Sequence, residues 1–297
     1  MTHNGITAPA PLPLLVLVCC LLYTAAAARL RRRGDRWPWA RDVSFWLGGG
    51  TLVAAFAVPW ETWLPPFTAH TAAHLTAGMA APLPVVLARP VTLALRALPL
   101  PGRRALVAVT RSRIATALVF PPVAAAVDIG GLWLLYRAPL PPAVHHSPLL
   151  YVHLFAAGTL FTFALLTLDP VRHRPGLALR AGTLLAAAAA HAVLAKSLWA
   201  TGPPGLRYAP ADLHSASQLM YYGGDAVEIA LAVLLAGQWY RAQGRSPARR
   251  TPVRPARDVT APGGVPGVTP AGRITRPLPG GPPTGPRRQE PRRTAPR

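Results

Sequence analysis

The segment FTAHTAAHLTAGMAAPLPVVLA, residues 67–88, decides how the rest of the chain is read. It is apolar enough to lie in a lipid bilayer, yet it opens with two histidines, His70 and His74. Four residues apart on a helix, the two imidazoles share one face. A hydrocarbon core of roughly 30 Å takes about 20 apolar helical residues to cross, and this segment reaches that length. It does so despite Pro82 and Pro84, which membrane helices tolerate where neighbours re-satisfy the freed carbonyls. A membrane helix with a pair of metal-ligand side chains at one end is the reading to extend.

Working outward, six more stretches reach spanning length: about 11–28, 43–60, 114–136, 148–168, 177–200 and 214–240. The expected fold is therefore an all-α polytopic membrane bundle of about seven transmembrane helices over residues 1–240. The composition agrees, with 51% apolar and only 14% charged residues among 297. The run 89–102 is too short and too charged to span, and reads as an amphipathic segment at the interface. From residue 241 to 297 the chain turns to Pro, Arg and Gly with few large apolar side chains. That composition buries too little surface to offset the entropy of ordering, so a disordered cytoplasmic tail is expected.

The net charge of +21 first suggests a nucleic-acid partner, but the arginines fall between apolar runs and in the tail rather than on a soluble basic face. They read instead as orientation signals, with the bilayer as partner and no nucleic acid. The connections at 29–41, 89–113 and 169–180 hold fifteen arginines; the intervening ones hold two, Arg137 and Arg207. By the positive-inside rule the N-terminus is outside and the C-terminus cytoplasmic. Residues 1–12 carry no positive charge, so the first segment is expected to stay as an anchored helix rather than act as a signal peptide. Cys19 and Cys20 are adjacent and no other cysteine exists, so no disulfide framework is available.

This orientation puts eight of the nine histidines towards the outer side: His3, His70, His74, His145, His146, His153, His191 and His214, with His173 alone cytoplasmic. Imidazole is the commonest transition-metal ligand, and residues i and i+4 can reach one ion. Met79 and Met220 offer soft thioethers of the kind cuprous copper favours. The blander reading has these histidines at the interface or bonded between helices. In the last span His214, Gln218, Tyr221, Asp225 and Glu228 follow at helical spacing and should face the bundle, as a hydrogen-bond seam or as partners of ligating histidines. Asp128 and Lys196 are the other charges at depth and are candidates for a mutual ion pair. No phosphate loop, G-x-S-x-G or H-E-x-x-H is present, which leaves no soluble-enzyme signature.

The order of RRRGDRWPWARDVSFWLGGG, FTAHTAAHLTAGMAAPLPVVLARPVTLALRALP, HLFAAGTLFTFALLTLDP and SQLMYYGGDAVE resembles the CtaG-type cytochrome c oxidase assembly family of bacterial membrane proteins, over roughly residues 25–241. His70 and His74 match the two histidines of that family's H-M-x-Q-H pattern, with Thr71 and Ala73 in place of its Met and Gln. His153 matches the histidine before the A-G-x-L-F motif, and Asp169–Pro170 its D-P. Asp212, His214 and Gln218 are the approximate match to a D-Q near the start of the last span. The resemblance implies a multi-pass protein of the bacterial plasma membrane, not an enzyme. It implies a partner in the catalytic subunit of cytochrome c oxidase, and help in delivering copper to the CuB centre.

Residues and resemblance together point to transient copper binding by His70 and His74, helped by His153 and His214. The rival is a metal-ion or small-solute transporter using Asp128, Lys196, Asp225 and Glu228. A third reading is an oxidase-assembly scaffold that holds no metal.

Overall fold

The computed structural model of the chain describes residues 11–145, 147–170, 172 and 174–243. The tail expected at 241–297 lies outside the described residues except for 241–243, as do His3, His146 and His173. Every element among the described residues is helical. In order they are α1 (Pro11–Arg32), α2 (Trp39–Ala57), a 3-10 turn (Trp60–Thr62), α3 (Pro66–His74), a π turn (Leu75–Ala80), α4 (Pro82–Leu87) and α5 (Pro90–Ala97). Then come α6 (Leu100–Thr110), α7 (Arg113–Leu118), α8 (Pro121–Arg137), α9 (Pro142–His145), α10 (Pro148–Leu166), α11 (Leu177–Thr201) and α12 (Pro210–Gln243).

Four helices are long and apolar enough to cross a membrane: α1 from Leu12, α10, α11 and α12. A fifth crossing is counted if Pro66–Leu87 and Pro90–Ala97, bent by 43°, form one broken span. Two of the seven expected spans fall short for local reasons. Asp42 and Arg41 sit in the first turn of α2. The expected 114–136 span is divided at Pro121–Pro122, which leaves α8 with 17 residues. At the other extreme, the 34 residues of α12 make about 50 Å of helix, well beyond a hydrocarbon core.

Proline sets most of the helix starts. Pro66, Pro82, Pro90, Pro121 and Pro148 each occupy a first-turn position, where the missing N–H is not needed and φ is already helical. Pro82 also lacks the N–H that would bond the carbonyl of Gly78 four residues back. The chain answers with the π turn, whose closing bond runs from Ala81 N to Thr76 O at 3.0 Å. Such turns in a helix commonly mark functional sites.

Two of the prolyl helices without a side-chain cap of their own are α3 and α5, since neither Pro65 nor Arg89 provides one. Both are capped from a distance. Asp212 of α12 accepts from Phe67 N and Thr68 N, each at 2.9 Å, and from Thr68 Oγ1 at 2.7 Å. Asp169, after α10, accepts from Thr92 N at 2.7 Å and from the Thr92 hydroxyl. A carboxylate at a helix N-terminus meets both the orphan N–H groups and the positive end of the dipole. Burial pushes the Asp169 carboxyl above its ordinary value, against the opposing pull of its bonds to Thr92.

Helix C-termini are answered by long polar side chains. Arg180 donates to Leu165 O (3.0 Å) and Gln238 to Leu166 O (3.0 Å), closing α10. Arg137 donates to Gly202 O (3.0 Å) and Thr201 Oγ1 (2.9 Å), closing α11. Arg31 pairs with Asp42 and stacks 3.6 Å over the ring of Trp39. These arginines hold structure together as well as contributing charge.

The main core gathers residues of α2, α3, α8, α10, α11 and α12; a smaller one joins Tyr23, Ala27 and Leu30 to Trp37, Leu93 and Ala97. Small residues allow the close approaches. A Cβ at Gly48 would fall 2.4 Å from Val85 Cγ2, and one at Gly49 would fall 2.6 Å from Cys20 Sγ. The buried Cys20 is thus a packing residue against α2. The tightest approach is between α10 and the π turn, where a Cβ at Gly158 would lie 1.8 Å from Gly78 O.

Candidate functional site

His70 and His74 sit on α3 directly before the π turn, on a helix only nine residues long. Asp212 fixes its first turn and the Gly78–Gly158 contact fixes the turn that follows, so both ends of the short helix are held by other elements. His74 is 1% exposed, and its Nδ1 lies 3.1 Å from the hydroxyl of Tyr136, itself fully buried on α8. With Nδ1 engaged, Nε2 is the nitrogen left for any ligand. The His70 Nδ1 stands 3.5 Å from the hydroxyl of Tyr151 on α10. Tyr136→Phe should lower stability by about 1 kcal/mol, in the range of interhelical hydrogen bonds in membranes; thermal unfolding in detergent checks this.

The buried His145 joins this group from α9, with its ring centroid 6.0 Å from that of His70. Phe67 stacks on Tyr208 at 4.7 Å and meets Tyr136 edge-on at 6.0 Å, so aromatic rings wall the N-terminal end of α3. In the connection before α12, burial first and the Asp212 carboxylate second push the Tyr208 phenol above its ordinary value.

The other two histidines expected at the site stand elsewhere. His153 is on the exposed side of α10 against α8, where a Cβ at Gly131 would fall 2.8 Å from its Nε2. His214 is half-buried and stacks flat on Trp199, centroids 3.9 Å apart. Among the described residues no group of three or more His, Cys, Asp and Glu is placed to hold one metal ion. The arrangement therefore offers an open pair, not a closed cage.

The face expected to look inward on α12 is also different. Its buried residues are Asp212, Ala216, Ser217, Met220, Gly224, Glu228, Leu231 and Leu235; of the five residues expected there, only Glu228 is buried. Small Ala216 and Gly224 admit α11 and α3 where larger polar side chains would hold them off. Gln218 and Tyr221 instead line a groove of about 460 Å³ with Lys196 and Trp199. Asp128 and Lys196 make no ion pair among the described residues. Lys196 Nζ lies 5.3 Å over the ring of Tyr221 instead. Sequence reasoning missed Tyr136 and Tyr151, whose partners are 62 and 81 residues away, and no local spacing announces them.

No solved structure matches the chain. Among curated proteins it is similar to an uncharacterised protein of Mycobacterium bovis and to one of Mycobacterium tuberculosis, each 29% identical over 257 residues. An uncharacterised protein of Mycobacterium leprae is 28% identical over 243 residues. These alignments cover 78%, 78% and 74% of this chain, but it spans only 39%, 39% and 37% of the relatives' own length. The family model for the cytochrome c oxidase caa3 assembly factor (Caa3_CtaG) matches residues 21–242, which takes in α3 with its histidines, the Asp169 and Asp212 caps and nearly all of α12. Three quarters of the chain follows that pattern, and the protein belongs to the cytochrome c oxidase caa3 assembly factor family.

Proposed function

We propose that this protein assists assembly of a haem–copper cytochrome c oxidase by holding cuprous copper transiently at His70 and His74 and presenting it for the CuB centre of the catalytic subunit. The observation that carries the reading is the His70–His74 pair on a short helix clamped at both ends, with tyrosine hydroxyls beside both Nδ1 atoms. Two neutral imidazoles make a weak, open ligand set, and a delivery protein must release its cargo as well as take it. His145 is the nearest helper, ahead of His153 and His214. Membership in an assembly-factor family favours this role over solute transport.

The protein is a multi-pass resident of the bacterial plasma membrane. In this reading it has seven spans, with α2 and α8 crossing in the company of their neighbours, and an outer N-terminus. The alternation of fifteen arginines against two in successive connections supports that orientation. The pair then opens towards the outer side.

Cuprous copper binding to the detergent-purified protein, measured against a competing chelator, tests the proposal. Wild type is expected to bind one equivalent, and His70→Ala/His74→Ala to lose at least about 100-fold in affinity, more than the 10–100-fold typical of an outer partner. Equal binding by both proteins would leave a scaffold that holds no metal at this pair.

A further inference from the structure

His191 is a buried histidine that the outer pair does not use. It lies within α11, 1% exposed, and its ring rests on Gly224 of α12, where a Cβ would fall 2.1 Å from Cε1. Its Nδ1 is 3.3 Å from Glu228 Oε1, so the carboxylate faces Nδ1 and Nε2 is the nitrogen turned away from it. That Nε2 is buried and has no hydrogen-bond partner among the described residues. A carboxylate on one imidazole nitrogen, with the other nitrogen turned to a ligand, is how metal-binding histidines are oriented and made more basic.

His74 repeats the arrangement, with Tyr136 on Nδ1. The two rings belong to one layer of the bundle. Adjacent glycines of α12 receive them: a Cβ at Gly223 would touch Leu75, the residue after His74, at 2.8 Å, while Gly224 receives His191. At about 1.5 Å per residue, His70 and His74 lie about 6 and 12 Å from the start of α3, and His191 about 15 Å from the end of α11. The Asp212 cap ties the start of α3 to the start of α12, and a Cβ at Gly202, where α11 ends, would lie 3.3 Å from Leu213 of α12, so both ends lie at the same end of the bundle.

We propose that Nε2 of His74 and Nε2 of His191 form a second, deeper cuprous site to which the outer pair passes its ion. This rests on the reading of His70 and His74 as the copper pair. The transfer exchanges one ligand for another: the copper–nitrogen bond to His70 breaks as one to His191 forms, His74 is held throughout, and no electron or proton moves. A two-nitrogen site suits a d10 cuprous ion. Glu228 supplies one compensating negative charge in a medium where an unpaired cation is costly. It acts as a positioning residue through His191.

The test is cuprous copper affinity by chelator competition, together with X-ray absorption at the copper edge, on the full chain in detergent. Wild type should show two-nitrogen coordination. His191→Gln should weaken binding about 100-fold, and Glu228→Gln, which leaves both histidines in place, about 10-fold. Wild-type affinity and spectrum in both His191→Gln and Glu228→Gln would overturn the deeper site. If His70→Ala/His74→Ala still loses copper in that case, the outer-pair reading stands. A wild-type protein that binds no cuprous copper overturns both. Should His191→Gln not fold, the Glu228→Gln result decides alone.

Discussion

Asp212→Ala is expected to lower the stability of the folded protein by about 3 kcal/mol or more, the largest loss from any single polar substitution in the described bundle. The carboxylate is 4% exposed and takes three hydrogen bonds from the first turn of α3. Bonds to a charged acceptor are each worth about 1.5–3 kcal/mol, and a buried donor left without a partner costs about 1–3 kcal/mol. Pro65 and Pro66 flank the same turn and offer neither a side-chain acceptor nor a replacement cap. Asp212→Asn keeps one acceptor oxygen, so roughly half the loss is expected. Thermal unfolding in detergent measures both. Copper affinity of the alanine variant should fall as well, because the helix carrying His70 and His74 loses its fixed start. Stability within 0.5 kcal/mol of wild type, roughly the size of an ordinary surface change, would show that α3 does not depend on the cap.

Gly158→Ala should be nearly as damaging. The added Cβ would stand 1.8 Å from Gly78 O and 3.0 Å from Gly78 C, so the obstacle is backbone, held by the π turn on one side and α10 on the other. Overpacking of this kind costs about 1–3 kcal/mol when side chains can adjust, and here the helix axes themselves must separate. A loss at or above the top of that range is expected in the same thermal measurement, with loosened packing beside His74. Gly131→Ala is the matched control. Its Cβ would meet only the end of the His153 side chain, which is exposed and can swing aside, so a change of less than about 0.5 kcal/mol is expected. If the two variants melt together, the Gly78–Gly158 contact is not a constraint.

The chain's own letters revealed the helical character, the positions of most helices and the histidine pair, because each is a local signal: apolar length, proline at helix starts, and spacing of four. They did not reveal what holds those helices. Asp169 and Asp212 could be aligned with family motifs, but nothing near them in sequence shows that each caps a helix more than 70 residues away. Tyr136 could not be linked to His74 for the same reason. The α12 face was misjudged because polar spacing was taken as the guide, whereas the packing follows the small residues Ala216 and Gly224. His153 and His214 share a residue type with the pair and even match family positions, yet residue type carries no information about distance. The expected 114–136 span was judged on average apolarity, which conceals the interruption at Pro121–Pro122; Arg41 and Asp42 lie just before the expected 43–60 stretch, but the helix starts at Trp39 and takes them in.

The distant caps have a consequence in time. The segment from Pro66 to Ala97 waits at one end for Asp169 and at the other for Asp212, both made later by a ribosome that works from the N-terminus. Until residue 212 has left the ribosome, α3 starts with two orphan N–H groups that no nearby side chain answers. The histidine pair is therefore among the last parts of the bundle to take its shape, although it lies in the first third of the chain. A nascent protein halted before its final span would already carry His70 and His74, but not yet in a state to hold anything.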